Sequence, residues 1–191
     1  MKFIGTKQIE TERLILRKLT VNDAEEAYNN WCSSYNVSKY VMWKKHENVE
    51  ETKKLFKTWE KEYEDLTTFR WIAKLKDTNE LIGTIDVASK RYLPFGTCEI
   101  GYCYGEKFWG KGYGTEALKA VIKYLFEECD AEVIYADFMK NNPGSGKVME
   151  KSGMTFEGYL RGRVLDKDGF RNDLGVCSIT KEEYFKNNIK N

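Results

Sequence analysis

Ten residues, Gly105-Glu-Lys-Phe-Trp-Gly-Lys-Gly-Tyr-Gly114, place glycines at four positions between a β-rich run and the clearest helical pattern in the chain. A turn of this kind gathers unpaired backbone N–H groups and the positive end of a helix dipole at one point, which suits a phosphate or diphosphate. Glycine matters there because a Cβ would hold an anion off the backbone, and because such nests often need positive φ. Gly105-x-x-x-x-Gly110-Lys111 follows a nucleotide P-loop except at its end, where Gly112 replaces the hydroxyl residue that would hold magnesium. That argues against an NTPase. Gly112-x-Gly114-x-x-Ala117 fits a dinucleotide fingerprint, and Glu132 lies 20 residues beyond Gly112. A dinucleotide fold needs a second βαβ half, however, and only one short helix and a hairpin follow. The remaining alternative is a loop whose glycines merely turn the chain.

The elements that position this turn are legible from periodicity. Phe69, Trp71, Ala73 and Leu75 alternate, Asp77-Thr-Asn79 forms a turn, and residues 81–87 return as a second strand. Residues 98–104 form the strand that leads into the glycines. Ala117, Leu118, Val121, Ile122, Leu125, Phe126 and Cys129 then recur at helical spacing, so one face of that helix packs on a sheet. Upstream, residues 13–19 read as a strand, and Asn22 or Asp23 caps a helix through Trp31. A second helix opens near Asn48 with Val49, Thr52, Leu55, Phe56, Trp59, Tyr63 and Leu66 on one face. Downstream, residues 133–138 form a strand, and Asn142-Pro143 opens a short helix that stops at Gly153. Two final β-runs, 156–165 and 172–179, flank the turn Asp166-Lys-Asp-Gly169.

A chain of 191 residues, 41% hydrophobic and 14% aromatic, has material for one real core and is too short for several domains. Thirty-one basic against 30 acidic side chains give a net charge of +1, so no general attraction to nucleic acid or anionic lipid is expected. Five cysteines without a C-x-x-C pair, and a single histidine, fit neither a disulfide framework nor a zinc site, and no metal is expected. No run approaches a membrane span and the first ten residues lack the apolar core of a signal peptide, so a cytoplasmic setting is expected.

Three segments together carry a resemblance. Tyr102-Cys-Tyr104, then Trp109-Gly-Lys-Gly-Tyr-Gly-Thr-Glu-Ala-Leu118, then Asn142-x-x-Ser145-x-Lys147-Val-Met-Glu-Lys-x-Gly153-Met154 resemble the acyl-CoA signature of the GNAT superfamily of N-acetyltransferases. Thr11-Glu-Arg-Leu-Ile-Leu-Arg17 and Asp173 are similar to the branch containing ribosomal-protein-alanine N-acetyltransferases. Trp109 departs from the Gln or Arg that often opens the pattern. The resemblance implies a single α+β (mixed α/β) GNAT domain over residues 1–191. Its twisted mixed sheet of about six or seven strands would have splayed central strands, with about four flanking helices. It implies acetyl-CoA as co-substrate, with pantetheine along Tyr102, Cys103 and Tyr104. The diphosphate would lie against Trp109, Gly110, Lys111, Gly112, Tyr113, Gly114 and Thr115, with Asn142, Ser145 and Lys147 at the cofactor as well.

The expected activity is direct transfer of an acetyl group, in a ternary complex, to a protein N-terminal α-amine or a small amine. Monomer and homodimer both remain open. The alternative is a non-catalytic acyl-CoA-binding sensor. Glu99 stands as general base or as an ordinary strand carboxylate, with Asp137 as second candidate and water as a third. A backbone N–H near Cys103 would hold the developing oxyanion. Ser145 matches the family position suggested to protonate the coenzyme thiolate, with Tyr104 as the other donor, although a first-turn Ser is often only a local cap. Cys103 reads as a small core residue and His46 as a surface or capping residue. Trp43, Trp59 and Tyr159 stand as cleft-lining or core side chains.

Overall fold

In the computed structural model, which describes residues 1–188, eight strands form one sheet in the order β1-β2-β3-β4-β5-β6-β8-β7. These are β1 Ile9–Glu10, β2 Leu14–Arg17, β3 Arg70–Leu75, β4 Leu81–Ser89, β5 Thr97–Tyr104, β6 Val133–Met139, β7 Thr155–Leu165 and β8 Arg171–Thr180. Every pairing is antiparallel except β5 with β6. The fold is therefore α+β with a mixed sheet. It has a strand more than the upper expectation, because the short β1 adds to the edge of β2.

Six α-helices are present among the described residues: α1 Ala24–Ala27, α2 Tyr35–Ser38, α3 Val49–Glu62, α4 Tyr113–Glu127, α5 Pro143–Lys151 and α6 Lys181–Asn188. Helix α4 forms where the apolar spacing places it. Ala117, Leu118, Val121 and Leu125 are fully buried against Ile100, Ile134 and Ala136 of the sheet. Burying each of the valine and leucine side chains contributes roughly 1.5–3 kcal/mol. On the opposite face a second cluster joins Ala24, Ala27, Trp31 and Phe56 to Ile72 and Leu81.

Several expectations are corrected. Asp23, one of the two expected caps, does immediately precede α1, but its side chain makes no cap bond there, and the helical stretch opens a turn earlier at Thr20, its partner in a capping box. That stretch is not one regular helix, because Tyr28–Cys32 widens into a π-turn in which Ser33 N–H donates to the Tyr28 carbonyl at 3.1 Å. Helix α3 starts after Asn48, whose side chain accepts from Glu51 N–H, but stops at Glu62 and leaves Leu66 outside and exposed. Residues 181–188, with no strong apolar period, form an additional helix against β8.

Candidate active site

Strands β5 and β6 separate. Their parallel pairing runs through Thr97↔Val133, Cys98↔Ile134 and Glu99↔Tyr135 and then ends, while β5 continues to pair with β4 and β6 with β8. Gly105 N–H donates to the Ile82 carbonyl at 2.9 Å. By antiparallel alternation the main-chain groups of Cys103 then face β4, and those of Tyr102 and Tyr104 face the gap. The Trp109 indole confirms the direction, donating to the Tyr104 carbonyl at 2.7 Å. The N–H groups available in the gap are thus those beside Cys103, not its own.

A cavity of about 750 Å³ occupies the helical side of this gap, bordered by β5, the glycine turn and α5. Gly110 (φ +72°) and Gly112 (φ +83°) hold left-handed conformations, and a Cβ on Gly110 would meet nothing within 4 Å. Open space over a turn of free N–H groups at the start of a 15-residue helix fits a diphosphate. One acidic residue lies in the first turn, Glu116. Burial opposes its ionisation, but the Thr11 hydroxyl and the backbone and guanidinium of Arg13 outweigh that and hold its carboxyl below the usual range. Arg13 also donates to the Lys111 carbonyl at 3.0 Å and stacks on Tyr113, so it braces the turn from the β2 side.

A second cavity, about 450 Å³, opens on the other face of the sheet. Tyr102, Cys103, Asn142 and Ser145 border both cavities, so the two meet at the splay. At that junction the Tyr102 and Ser145 hydroxyls lie 2.9 Å apart, and Tyr102 O–H is also 3.0 Å from the Ser145 carbonyl. Burial raises the Tyr102 pKa, so it is a neutral donor. On the floor of the second cavity, alternation aligns Asp86 of β4, Glu99 of β5 and Asp137 of β6 on one face. Glu99 accepts from the Tyr135 hydroxyl at 2.8 Å. Asp137 keeps part of its side chain in water, yet loss of hydration and then the charge of Glu99 push its carboxyl up to about 6. Asp86 pairs with Arg70 at 3.1 Å, and burial still raises its pKa against that pull.

Comparison with known proteins places this geometry. Residues 13–155 match the family model described as an acetyltransferase (GNAT) domain. The N-acetyltransferase YoaA of Bacillus subtilis is 32% identical over 91% of this chain and 96% of its own length. The chain belongs to the GNAT acetyltransferase family. A GNAT acetyltransferase structure from Bacillus anthracis superimposes with a TM-score of 0.80 at 30% identity, covering 92% of this chain and 99% of that one. The [ribosomal protein uS5]-alanine N-acetyltransferase of Escherichia coli is 32% identical over 56% of this chain and 55% of its own.

As a GNAT protein the chain is an acyltransferase that uses acetyl-CoA. Among the described residues no group of His, Cys, Asp or Glu could hold a metal, and no helix is long and apolar enough to cross a membrane. Of the residues named from the GNAT signature, Trp109, Gly110, Gly112, Tyr113, Gly114, Thr115 and Lys147 border the first cavity, whereas Lys111 does not and its Nζ lies 6.0 Å from the centre of the Phe108 ring. Asn142 precedes α5 as expected, but its side chain caps nothing and instead borders both cavities. Tyr104 borders only the first cavity; its hydroxyl is buried without a partner and its ring packs over Gly114.

Cys103 is not a plain core residue: it touches both cavities, with its sulfur 3.4 Å from the Thr84 hydroxyl and burial pushing its thiol up to about 11. His46 and the Trp43 and Trp59 rings line the second cavity, whereas Tyr159 packs at 6.3 Å from Phe138 on the exposed strand β7. Sequence reasoning missed Asp86 and the role of Arg13. Alternation within Thr84-x-Asp86-x-Ala88 carried a signal for Asp86, but only register against β5 shows that it faces Gly101.

Proposed function

We propose that this protein transfers an acetyl group from acetyl-CoA directly to a primary amine, a protein N-terminal α-amine or a small amine, without a covalent enzyme intermediate. The observation that carries the reading is the meeting of two cavities at the splay, one beside a diphosphate turn and one floored by carboxylates. N–H groups of residues 110–115 and the positive end of α4 hold the diphosphate. Main-chain groups of Tyr102 and Tyr104 pair with the pantetheine arm as an added strand would, and an N–H there polarises the thioester carbonyl. Lys111 and Lys147 reach phosphate oxygens. The bound co-substrate supplies an activated acyl group.

Glu99 takes the proton of the acceptor ammonium, directly or through water, and Asp137, raised towards neutrality, shares the load. Ser145 donates to the departing thiolate, backed by the Tyr102 hydroxyl. The raised pKa of Cys103, which burial and the Asp86 charge both favour, disfavours an acyl-cysteine. Incubation with acetyl-CoA and a panel of amines and N-terminal peptides should release free CoA, and Ser145→Ala should slow release while leaving CoA affinity within about threefold. Tight CoA binding without release across the panel would replace this reading by the sensor.

A further inference from the structure

The two cavities differ in charge as well as in size. Arg13, Lys119, Lys147 and Lys151 border the first, against Glu12 and Glu116. Among the described residues no lysine or arginine borders the second, onto which Asp86, Glu99 and Asp137 all open. The Glu99 charge raises the pKa of both Asp86 and Asp137. Arg70 offsets Asp86 alone, from behind the cavity wall, where it is also held by Glu62 and stacked on Trp59 at 4.2 Å. The walls of this cavity are aromatic, with Trp31, Trp43, Phe56 and Trp59.

The roof is a strap, residues 40–46, that is tied at both ends. At its far end His46 N–H donates to the Cys32 carbonyl at 2.8 Å, and the His46 ring lies 2.7 Å from the Thr52 hydroxyl. Just before its near end the Ser38 carbonyl accepts from Lys167 at the tip of the β7–β8 hairpin. Lys167 is only 9% exposed and lies over the Tyr35 ring. The hairpin tip is thus tied to α2, just ahead of the strap. About 450 Å³ lies towards the small end of ligand pockets, which suits a compact acceptor better than an extended peptide.

Resting on the transferase reading, we propose that the acceptor is a compact free amine with an aromatic or similarly bulky apolar body and no carboxylate or phosphate of its own. The ammonium meets the carboxylate floor and the apolar body fills the tryptophan walls, where an aromatic face also attracts the cation. An amino acid with the same side chain brings a carboxylate into a cavity that has three already and offers no cation to receive it.

Tryptamine, tryptophan and a tryptophan-initiated hexapeptide amide separate these cases, with CoA release and calorimetric binding to the protein–CoA complex as readouts. Tryptamine should exceed tryptophan by about 30-fold or more in kcat/KM and in affinity, and exceed the hexapeptide similarly. Ala88→Lys places a cation at the exposed edge of this cavity and should shrink the tryptamine-to-tryptophan ratio about tenfold. Equal use of tryptamine and tryptophan, or preference for the peptide, would overturn the acceptor class while leaving the transferase reading intact. Selective tryptamine binding without CoA release would support the class and remove the transferase reading. Failure of tryptamine to bind overturns the class.

Discussion

In the mechanism we propose, Glu99 and Asp137 divide one task between two environments. Glu99 has a hydroxyl partner in Tyr135, while Asp137 has lost hydration and feels the charge of Glu99. With its carboxyl at about 6, Asp137 ionises late, so the acid limb of kcat/KM should fall near that pH. Glu99→Gln removes the negative neighbour, so the same limb should move to lower pH, and the rate at pH 7 should drop about 100-fold. The loss should shrink above pH 9, where more acceptor amine is already neutral. A loss of equal size at every pH would shift the base to Asp137 or water. The sign for stability runs the other way from an ion-paired Asp: a raised pKa means the folded state prefers the protonated form. Asp137→Asn should therefore raise the unfolding midpoint at pH 8, with the gain vanishing below about pH 4. A midpoint unchanged at both pH values would contradict the environment described for Asp137.

At the scale of elements, the site depends on how α5 is seated. Gly146 lies where a Cβ would come 2.6 Å from the Phe138 ring, and on the other side Gly175 of β8 makes a similarly close approach. Phe138 is therefore clamped between α5 and β8, and this clamp fixes the neighbouring Ser145. Gly146→Ala should cost about 1–3 kcal/mol in urea unfolding and lower turnover with it. Phe138→Leu in the same chain should recover part of both. An unchanged unfolding midpoint in Gly146→Ala would show that the clamp is loose. The splay itself follows from where pairing stops: β6 keeps all its bonds to β8, and the turn at Gly105 draws β5 towards β4. Helix α4 and strands β3 to β6 were legible in sequence because buried apolar residues recur there at clean periods. The π-turn, α2 and α6 were not, because their residues follow no period and their positions come from tertiary contacts such as Lys167 to Ser38.

For the molecule as a whole, a net charge of +1 conceals a separation of sign, cationic around one cavity and anionic in the other. Composition could not reveal this, since it cancels in the sum. The glycine turn and its helix were readable because their chemistry is local, whereas the second cavity is assembled from α3, the strap, β4, β5 and β6, which only register brings together. The whole account rests on acetyl-CoA lying in the splay with its diphosphate on the glycine turn. Amide hydrogen exchange with and without saturating acetyl-CoA measures that placement directly. Protection should rise in the peptides covering residues 102–104 and 110–115, and the Gly112→Asp protein should show no such change. Protection confined to other segments, or unchanged exchange at the glycine turn while acetyl-CoA is bound, would contradict it.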